Sequence, residues 1–208
     1  NRTIDIPILD DIKNEFDYQI KNYPVENIEN LANIINQISG NIYFCGVGKS
    51  GIMAKHCCDL LKSISYPSFY FDVLNSTHGD IGVLNKKDII ILFSNSGNTN
   101  EIINLIPLFK NIGIKIIGIC CNKDYKYNNL CDLCLVLPFK NEISGKINKI
   151  PTNSYMSQLL FCNILVSILK DNISIDEYKE NHLSGNIGNN LLKIKDILLT
   201  DFPKIVLN

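Results

Sequence analysis

The sequence predicts an α/β fold, a three-layer αβα sandwich in which helices cover both faces of a five-stranded parallel sheet. Short apolar runs alternate with longer amphipathic segments through the middle of the chain. The clearest run, Asp-Ile-Ile-Ile-Leu-Phe at 88–93, has no polar alternation, as expected for a strand that is covered on both faces. Strands separated by helices imply right-handed crossovers, so the sheet is predicted to be parallel and flavodoxin-like.

Each element follows from its hydrophobic pattern. Continuous apolar runs bounded by turn residues predict strands at 41–45, 68–71, 88–93, 115–120 and 133–137. Apolar residues at helical spacing predict helices at 6–21, at 26–38, from the loop after the first strand to about Ser63, and at 99–111, 152–170, 174–180 and 186–198. We therefore expect one domain over 1–208, with N-terminal helices at 1–40, the parallel-sheet core at 41–140 and C-terminal helices at 141–208.

Composition narrows the functional classes. The 208 residues are 46% hydrophobic with a net charge of −1, which fits a globular protein and leaves no basic field for nucleic acid. No segment approaches the roughly 20 apolar residues that span a bilayer. The N-terminus lacks the basic start and apolar run of a secretory signal. We expect a cytoplasmic protein with neither a nucleic-acid partner nor a membrane partner.

Eight cysteines raise the question of disulfides or a metal site. Most of them lie in apolar strand-like or helical segments, where a free cysteine behaves as a small buried hydrophobe. Cys131 and Cys134 form a lone CxxC pair with no second pair and no histidine nearby in the sequence, so a zinc site is not predicted. We expect free thiols, no bound metal and no cofactor.

The first chemically informative loop, Gly46-Val-Gly-Lys-Ser-Gly51, follows the first strand. It matches GxGxxG, and Asp72 ends the next strand about 20 residues on, so a dinucleotide site is one alternative. A lysine and a hydroxyl at a helix N-terminus suit a terminal phosphate monoester better than a diphosphate bridge. A Walker A loop is excluded because Tyr43 stands where its first glycine is required.

The second loop, Ser94-Asn-Ser-Gly-Asn-Thr99, follows the strongest strand and opens a helix. Its three hydroxyls and the free backbone N–H groups converge at the positive end of that helix, which suits a dianionic phosphate on a small molecule. The simpler alternative is an ordinary N-cap, with Ser96 or Asn98 as the cap and Glu101 in the first turn. A cap requires one hydroxyl and this loop has three, so phosphate binding is predicted.

The two loops together resemble those of the SIS (sugar isomerase) family, in which a Gly-x-Gly-x-Ser-like loop and a Ser-x-Ser-Gly-x-Thr/Ser loop hold a sugar phosphate. Within that family, the chain resembles the arabinose-5-phosphate isomerases over nearly its whole length. The further motifs that fall in the matching order and spacing are Pro67-Ser-Phe69, Thr77-His-Gly-Asp-Ile-Gly82, Ile106-Pro107, Pro151-Thr152 and His182-Leu-Ser-Gly-Asn-Ile-Gly188.

The resemblance implies a set of site residues, position by position. The catalytic residues would be Lys49, Glu101, Glu142 and His182. The substrate-binding residues would be Gly48, Ser50, His78, Ser94, Asn95 (through its backbone), Ser96 and Thr99. The resemblance also implies a homodimer or homotetramer with shared sites, in which His182 could serve a neighbouring subunit. Many such isomerases continue into a pair of CBS modules, and we expect no complete CBS module within 1–208.

These residue types fit an aldose-ketose isomerisation, which moves a proton between C1 and C2 through an enediolate. A carboxylate must remove the carbon-bound proton while a donor stabilises the developing oxyanion. As a hypothesis, Glu101 or Glu142 is the base. Lys49 would polarise the carbonyl, and His182 would shuttle the hydroxyl proton or assist ring opening. Each of the four also has an ordinary alternative as an exposed charge, a helix-end residue or a loop carboxylate.

We therefore expect an enzyme that acts on a small sugar phosphate, interconverting D-ribulose 5-phosphate and D-arabinose 5-phosphate. By resemblance, the product would feed synthesis of 3-deoxy-octulosonate (Kdo), the eight-carbon acid sugar of lipopolysaccharide or capsule. Two other functions stay open: a non-catalytic regulatory module that binds phosphosugars, and another SIS sugar-phosphate isomerase. The lysine and two carboxylates favour an enzyme, because a sensor needs only the phosphate loops.

Overall fold

Five parallel strands form the central sheet of the computed structural model, which describes residues 6–143 and 149–182. In chain order the strands are β1 (Ile42–Gly46), β2 (Ser68–Tyr70), β3 (Ile89–Phe93), β4 (Lys115–Cys120) and β5 (Leu133–Val136). Their spatial order is β2-β1-β3-β4-β5, which is the flavodoxin-like order. The predicted fold class is therefore confirmed.

Helices pack on both faces of the sheet. They are α1 (Ile6–Lys21), α2 (Val25–Gln37), α3 (Gly48–Ser63), α4 (Asn100–Ile103), α5 (Ile106–Ile112), α6 (Asn153–Leu169) and α7 (Ile175–Glu180). None of the described helices is long and apolar enough to cross a membrane. The predicted helix at 186–198 lies outside the described residues.

Alternate side chains of each strand enter two separate cores, which makes the fold three-layered. Phe44 and Ile91 lie in the core formed with α2, α3 and α6. Tyr43 and Ile90 lie in the core formed with α4 and α5. The strands are buried on both faces, which explains why their sequences are continuous apolar runs.

The segment predicted as one helix over 99–111 is instead two short helices, α4 and α5. The backbone between them makes i→i−3 hydrogen bonds, from Leu105 N to Ile102 O at 3.0 Å and from Leu108 N to Leu105 O at 2.9 Å. Pro107 has no N–H to donate to Ile103, so the helix restarts with the proline in its first turn.

The strand register brings two loops to the same edge of the sheet. Gly46, the last residue of β1, pairs with Phe93, the last residue of β3. The loops at 47–51 and 94–99 therefore leave the carboxyl edge side by side. In this strand order, β1 and β3 flank the switch point at which ligands of open α/β sheets bind.

All eight cysteines are free thiols, as predicted, and six of them are buried. Burial raises the pKa of the Cys120 thiol to about 12, with a smaller opposing effect of its hydrogen bond to the Asn122 carbonyl. Thiols of this kind pack as small apolar side chains and stay protonated at neutral pH.

Candidate active site

The first loop brings the start of α3 very close to the end of β1. A Cβ on Gly51 would lie 2.7 Å from the Gly46 carbonyl oxygen, so glycine is required for this approach. The residue before α3, Val47, provides no side-chain cap. The first-turn N–H groups of α3 are therefore available to an anion at the carboxyl edge of the sheet.

Within the second loop, Ser94 organises the backbone. It is 1% exposed, its Oγ accepts from Gly97 N at 3.0 Å, and it lies 2.7 Å from Thr99 Oγ1. Ser96 is exposed, and its Oγ accepts from Asn98 N at 3.1 Å. The loop thus presents Ser96 and Thr99 outward, while the Ser94 hydroxyl is satisfied inside it. A direct phosphate contact of Ser94 stays a prediction.

We expect Gly97→Ala to destabilise the protein by about 2–4 kcal/mol, because Gly97 has a φ of +63° and a Cβ there would lie 2.5 Å from Tyr125 Cβ. Thermal or urea unfolding measures this change. Gly82→Ala is the matched control, since a Cβ at Gly82 meets nothing within 4 Å. If the two variants lose equal stability, neither the positive φ of Gly97 nor its close approach to Tyr125 requires a glycine in the second loop.

Residues from both loops and from the start of α6 line one cavity of about 260 Å³. It lies at the carboxyl edge of the sheet, where the register places the two loops. Its walls combine hydroxyl, amide and ammonium groups with a few apolar contacts. The lining residues are Val47, Lys49, Ser50, Asn95, Ser96, Thr99, Pro151, Ser154, Tyr155 and Gln158. Five of the predicted site residues, Lys49, Ser50, Asn95, Ser96 and Thr99, are thus brought together.

Glu142 binds the N-terminal end of α6 next to this cavity. Its Oε2 accepts from Thr152 N at 2.8 Å, from Thr152 Oγ1 at 2.9 Å and from Ser154 N at 3.2 Å. Its Oε1 accepts from Ser154 Oγ. Burial by itself would raise the pKa of Glu142, but the hydrogen bonds from Ser154 and Thr152 outweigh it and lower the pKa below its ordinary value. Glu142 is therefore held as a carboxylate behind the cavity wall.

Glu101 and His78 are exposed and lie outside the lining of this cavity. Glu101 occupies the first turn of α4, two residues beyond Thr99. His78 ends a short 3-10 turn after β2. Gly48, with a φ of +59°, begins α3 without lining the cavity. Their predicted roles remain predictions.

His182 lies at the far end of α3. Its neighbour Asn181 donates through Nδ2 to Ser63 O at 3.2 Å and to Ser65 Oγ at 2.7 Å. The His182 ring packs on Tyr178 at 4.2 Å, and its Nδ1 donates to the Tyr178 carbonyl at 2.8 Å. Since α3 rises about 22 Å from its start at the cavity to Ser63, His182 does not reach the cavity of its own chain.

Sequence reasoning missed the contribution of α6 to this site. Most residues of the helix are apolar, yet its first half buries Asn153, Ser154, Ser157 and Gln158. These polar residues recur at i, i+1, i+4 and i+5, which places them on one face. A polar stripe of this kind on an otherwise apolar helix was the signal that could have revealed the third wall.

The dinucleotide alternative needs an acidic residue after β2 that is free for a ribose hydroxyl. Asp72 occupies that place, but its Oδ1 accepts from Leu74 N at 2.8 Å and its Oδ2 accepts from Asn75 Nδ2 at 3.0 Å. The carboxylate thus orders the local turn, which weakens the case for a dinucleotide.

A parallel sheet with two glycine- and hydroxyl-rich loops at one switch point defines the class of open α/β domains in which ligands bind at the carboxyl edge of the sheet. The sequence profile of the SIS domain family matches residues 34–168, and the chain belongs to that family.

Two relatives show which kinds of SIS-domain protein the chain is similar to. An uncharacterised protein of Chlamydia pneumoniae is 33% identical over 200 residues, which cover 95% of this chain and 60% of that protein. The probable arabinose 5-phosphate isomerase of Haemophilus influenzae is 32% identical over 184 residues, 87% of this chain and 54% of that protein. The chain thus spans little more than half the length of these curated relatives.

A solved structure supports the same comparison. The E. coli CFT073 protein c3406, in complex with arabinose 5-phosphate, superposes with a TM-score of 0.75. The two are 26% identical, and the match covers 86% of this chain and all of that one.

Proposed function

We propose that the chain is an aldose-ketose isomerase that interconverts D-ribulose 5-phosphate and D-arabinose 5-phosphate through an enediolate. The observation that carries this proposal is the cavity in which Lys49, Ser50, Ser96 and Thr99 meet the start of α6. Donors of this kind suit a phosphate monoester. The probable isomerase of Haemophilus influenzae and the c3406 complex support the pentose phosphate as substrate, and by resemblance the product would feed Kdo synthesis.

In this proposal the cavity holds the phosphate and leaves the sugar carbons beside an acidic residue. The hydroxyls of Ser50, Ser96 and Thr99 donate to the phosphate oxygens, together with the first N–H groups of α3. Lys49, which is exposed at the start of α3, polarises the substrate carbonyl and stabilises the enediolate oxygen.

Glu101 is the better candidate for the enediol base. A carboxylate that already accepts four hydrogen bonds, as Glu142 does, is a weakened base because protonation would cost those bonds. Glu101 is exposed near the second loop. Among the described residues, its carboxylate does not bind the start of a helix, whereas the carboxylate of Glu142 does. We therefore assign proton abstraction to Glu101 and the holding of α6 against the cavity to Glu142.

Incubation of the purified chain with ribulose 5-phosphate, followed by sugar analysis, tests the proposed function. We expect arabinose 5-phosphate as the product. Binding of the sugar phosphate without turnover would contradict the isomerase and support a regulatory phosphosugar-binding module. Turnover of a hexulose phosphate, with none of ribulose 5-phosphate, would identify a related isomerase instead.

We further propose that His182 acts in the site of a second copy of this chain, since it lies a full helix length from its own cavity. We expect His182→Ala and Lys49→Ala each to be inactive. Mixing the two under conditions of subunit exchange should restore activity to about a quarter of the sites, by random pairing in a symmetric dimer. If His182 acted within its own chain, or not at all, mixing would give no such recovery.

A further inference from the structure

Gln158 is a buried amide with an unsatisfied atom in the wall of the proposed substrate cavity. The side chain is 2% exposed, and its Oε1 is buried without a hydrogen-bond partner among the described residues. Asn95, which lines the same cavity, likewise has a buried Oδ1 that lacks a partner among them. Two side-chain amides on different elements thus leave an acceptor unpaired around one cavity.

An unpaired amide carbonyl is costly to bury, so an apolar residue would stabilise α6 better at position 158. The rest of the buried face agrees with this, because Phe161, Cys162 and Leu165 follow over the next two turns. Gln158 therefore needs a reason other than packing, and the cavity supplies one.

Gln158 also forms a hydrogen bond to the first loop, although the two partners are 108 residues apart in the sequence. Its Nε2 donates to Ser50 Oγ at 3.3 Å. Because Ser50 Oγ accepts this bond, its own hydrogen is left for a phosphate oxygen. If the amide were rotated by 180°, its carbonyl would face Ser50 and its NH₂ would be the unpaired group. In either orientation, one polar atom of the buried amide makes no hydrogen bond to Ser50; as placed, this atom is Oε1, which has no partner among the described residues.

We propose that Gln158, together with Asn95 of the same cavity wall, accepts hydrogen bonds from the hydroxyl groups of the bound sugar. This inference rests on the proposed function and adds a specificity-determining residue to it. Hydroxyl groups can donate as well as accept, whereas the oxygens of a phosphate dianion only accept. The cavity is therefore divided: Ser50, Ser96 and Thr99 donate to the phosphate, and the two amide oxygens select a polyhydroxylated chain over other phosphate monoesters.

Calorimetric binding of two ligands tests the proposal: arabinose 5-phosphate, and pentyl phosphate, which has a five-carbon chain but no hydroxyls. We expect Gln158→Met to weaken binding of arabinose 5-phosphate about tenfold, the factor that corresponds to one ordinary hydrogen bond. Binding of pentyl phosphate should change less than about twofold. An equal loss for both ligands, or no loss for either, would overturn the proposal.

Gln19 supplies the matched control. It is a second buried glutamine with an unpaired Oε1 among the described residues, but it lies on α1, donates to Asn153 O at 2.9 Å and is absent from this cavity wall. Gln19→Met should leave the affinity ratio of the two ligands unchanged, and a shift like that of Gln158→Met would contradict the inference.

The same titrations separate this inference from the proposed function. If the unaltered protein binds arabinose 5-phosphate without converting it, the isomerase assignment fails. The ratio of the two affinities in Gln158→Met then still decides whether Gln158 recognises the sugar hydroxyls.

Discussion

Glu101→Gln is expected to lower the turnover of ribulose 5-phosphate by about 10²–10⁴-fold, the usual contribution of a general base. The amide keeps the size of the side chain and cannot remove a proton from carbon. Glu101 is exposed in the first turn of a four-residue helix, so little stability should be lost. Steady-state kinetics and thermal unfolding of the same preparation measure both effects.

A second readout identifies the step that is lost. In deuterated water, the proposed enediol base should exchange the C1 hydrogen of ribulose 5-phosphate with solvent. Glu101→Gln should lose this exchange together with turnover, whereas a variant impaired only in ring opening or proton shuttling would keep it. Glu26→Gln is the control, since Glu26 is likewise an exposed glutamate in the first turn of a helix. Retention of more than about a tenth of the activity in Glu101→Gln would remove Glu101 as the base.

The sheet and its two loops could be predicted because the information is local in the sequence. The run at 88–93 identifies a doubly covered strand by itself, and parallel strands deliver the loops that follow them to one edge. The need for a glycine in the second loop is also local, because the positive φ at Gly97 favours glycine. The neighbourhood of Lys49, Ser96 and Thr99 follows from these facts alone.

The third wall of the site could not be predicted in the same way, because it depends on long-range packing. Gln158 meets Ser50 only after α6 has docked against α3, and nothing near either residue in the sequence reports that docking. The different burial of the two serine residues in the second loop could not be predicted from the local sequence either. Ser94 and Ser96 are two residues apart, yet one is buried inside the loop and the other is exposed.

Glu142 matches a position of the catalytic set, yet it also stabilises the fold. Its four hydrogen bonds hold the start of α6. The same helix supplies Ser154 and Gln158 to the cavity. A glutamine could preserve this pattern: its carbonyl can replace Oε2, and its NH₂ can donate to Ser154 Oγ. An alanine cannot preserve any of it.

We therefore expect a graded result at this position. Glu142→Ala should lower the free energy of unfolding by about 2–4 kcal/mol, because it leaves helix-start donors unpaired. This loss corresponds to roughly 5–15 °C in the unfolding midpoint for a chain of this size. Glu142→Gln should lose about 1–2 kcal/mol, the difference between charged and neutral acceptors, and should keep exchange of the C1 hydrogen. Equal stability of the alanine and glutamine variants would contradict the capping role.

The pH dependence of stability gives an independent check on Glu142. Its pKa is lowered in the folded protein, so the carboxylate stabilises the fold above the pKa of the unfolded chain, and this contribution is lost as the pH falls through the folded pKa. The stability difference between the unaltered protein and Glu142→Gln should therefore be full near pH ~6 and shrink towards pH ~3. Glu177, a carboxylate in the exposed capping box of α7, is the matched control, and Glu177→Gln should cost less at every pH. If the stability difference between the unaltered protein and Glu142→Gln stayed constant over this pH range, the charge of Glu142 would not be what holds the start of α6. Glu142 would then again be a candidate for the enediol base.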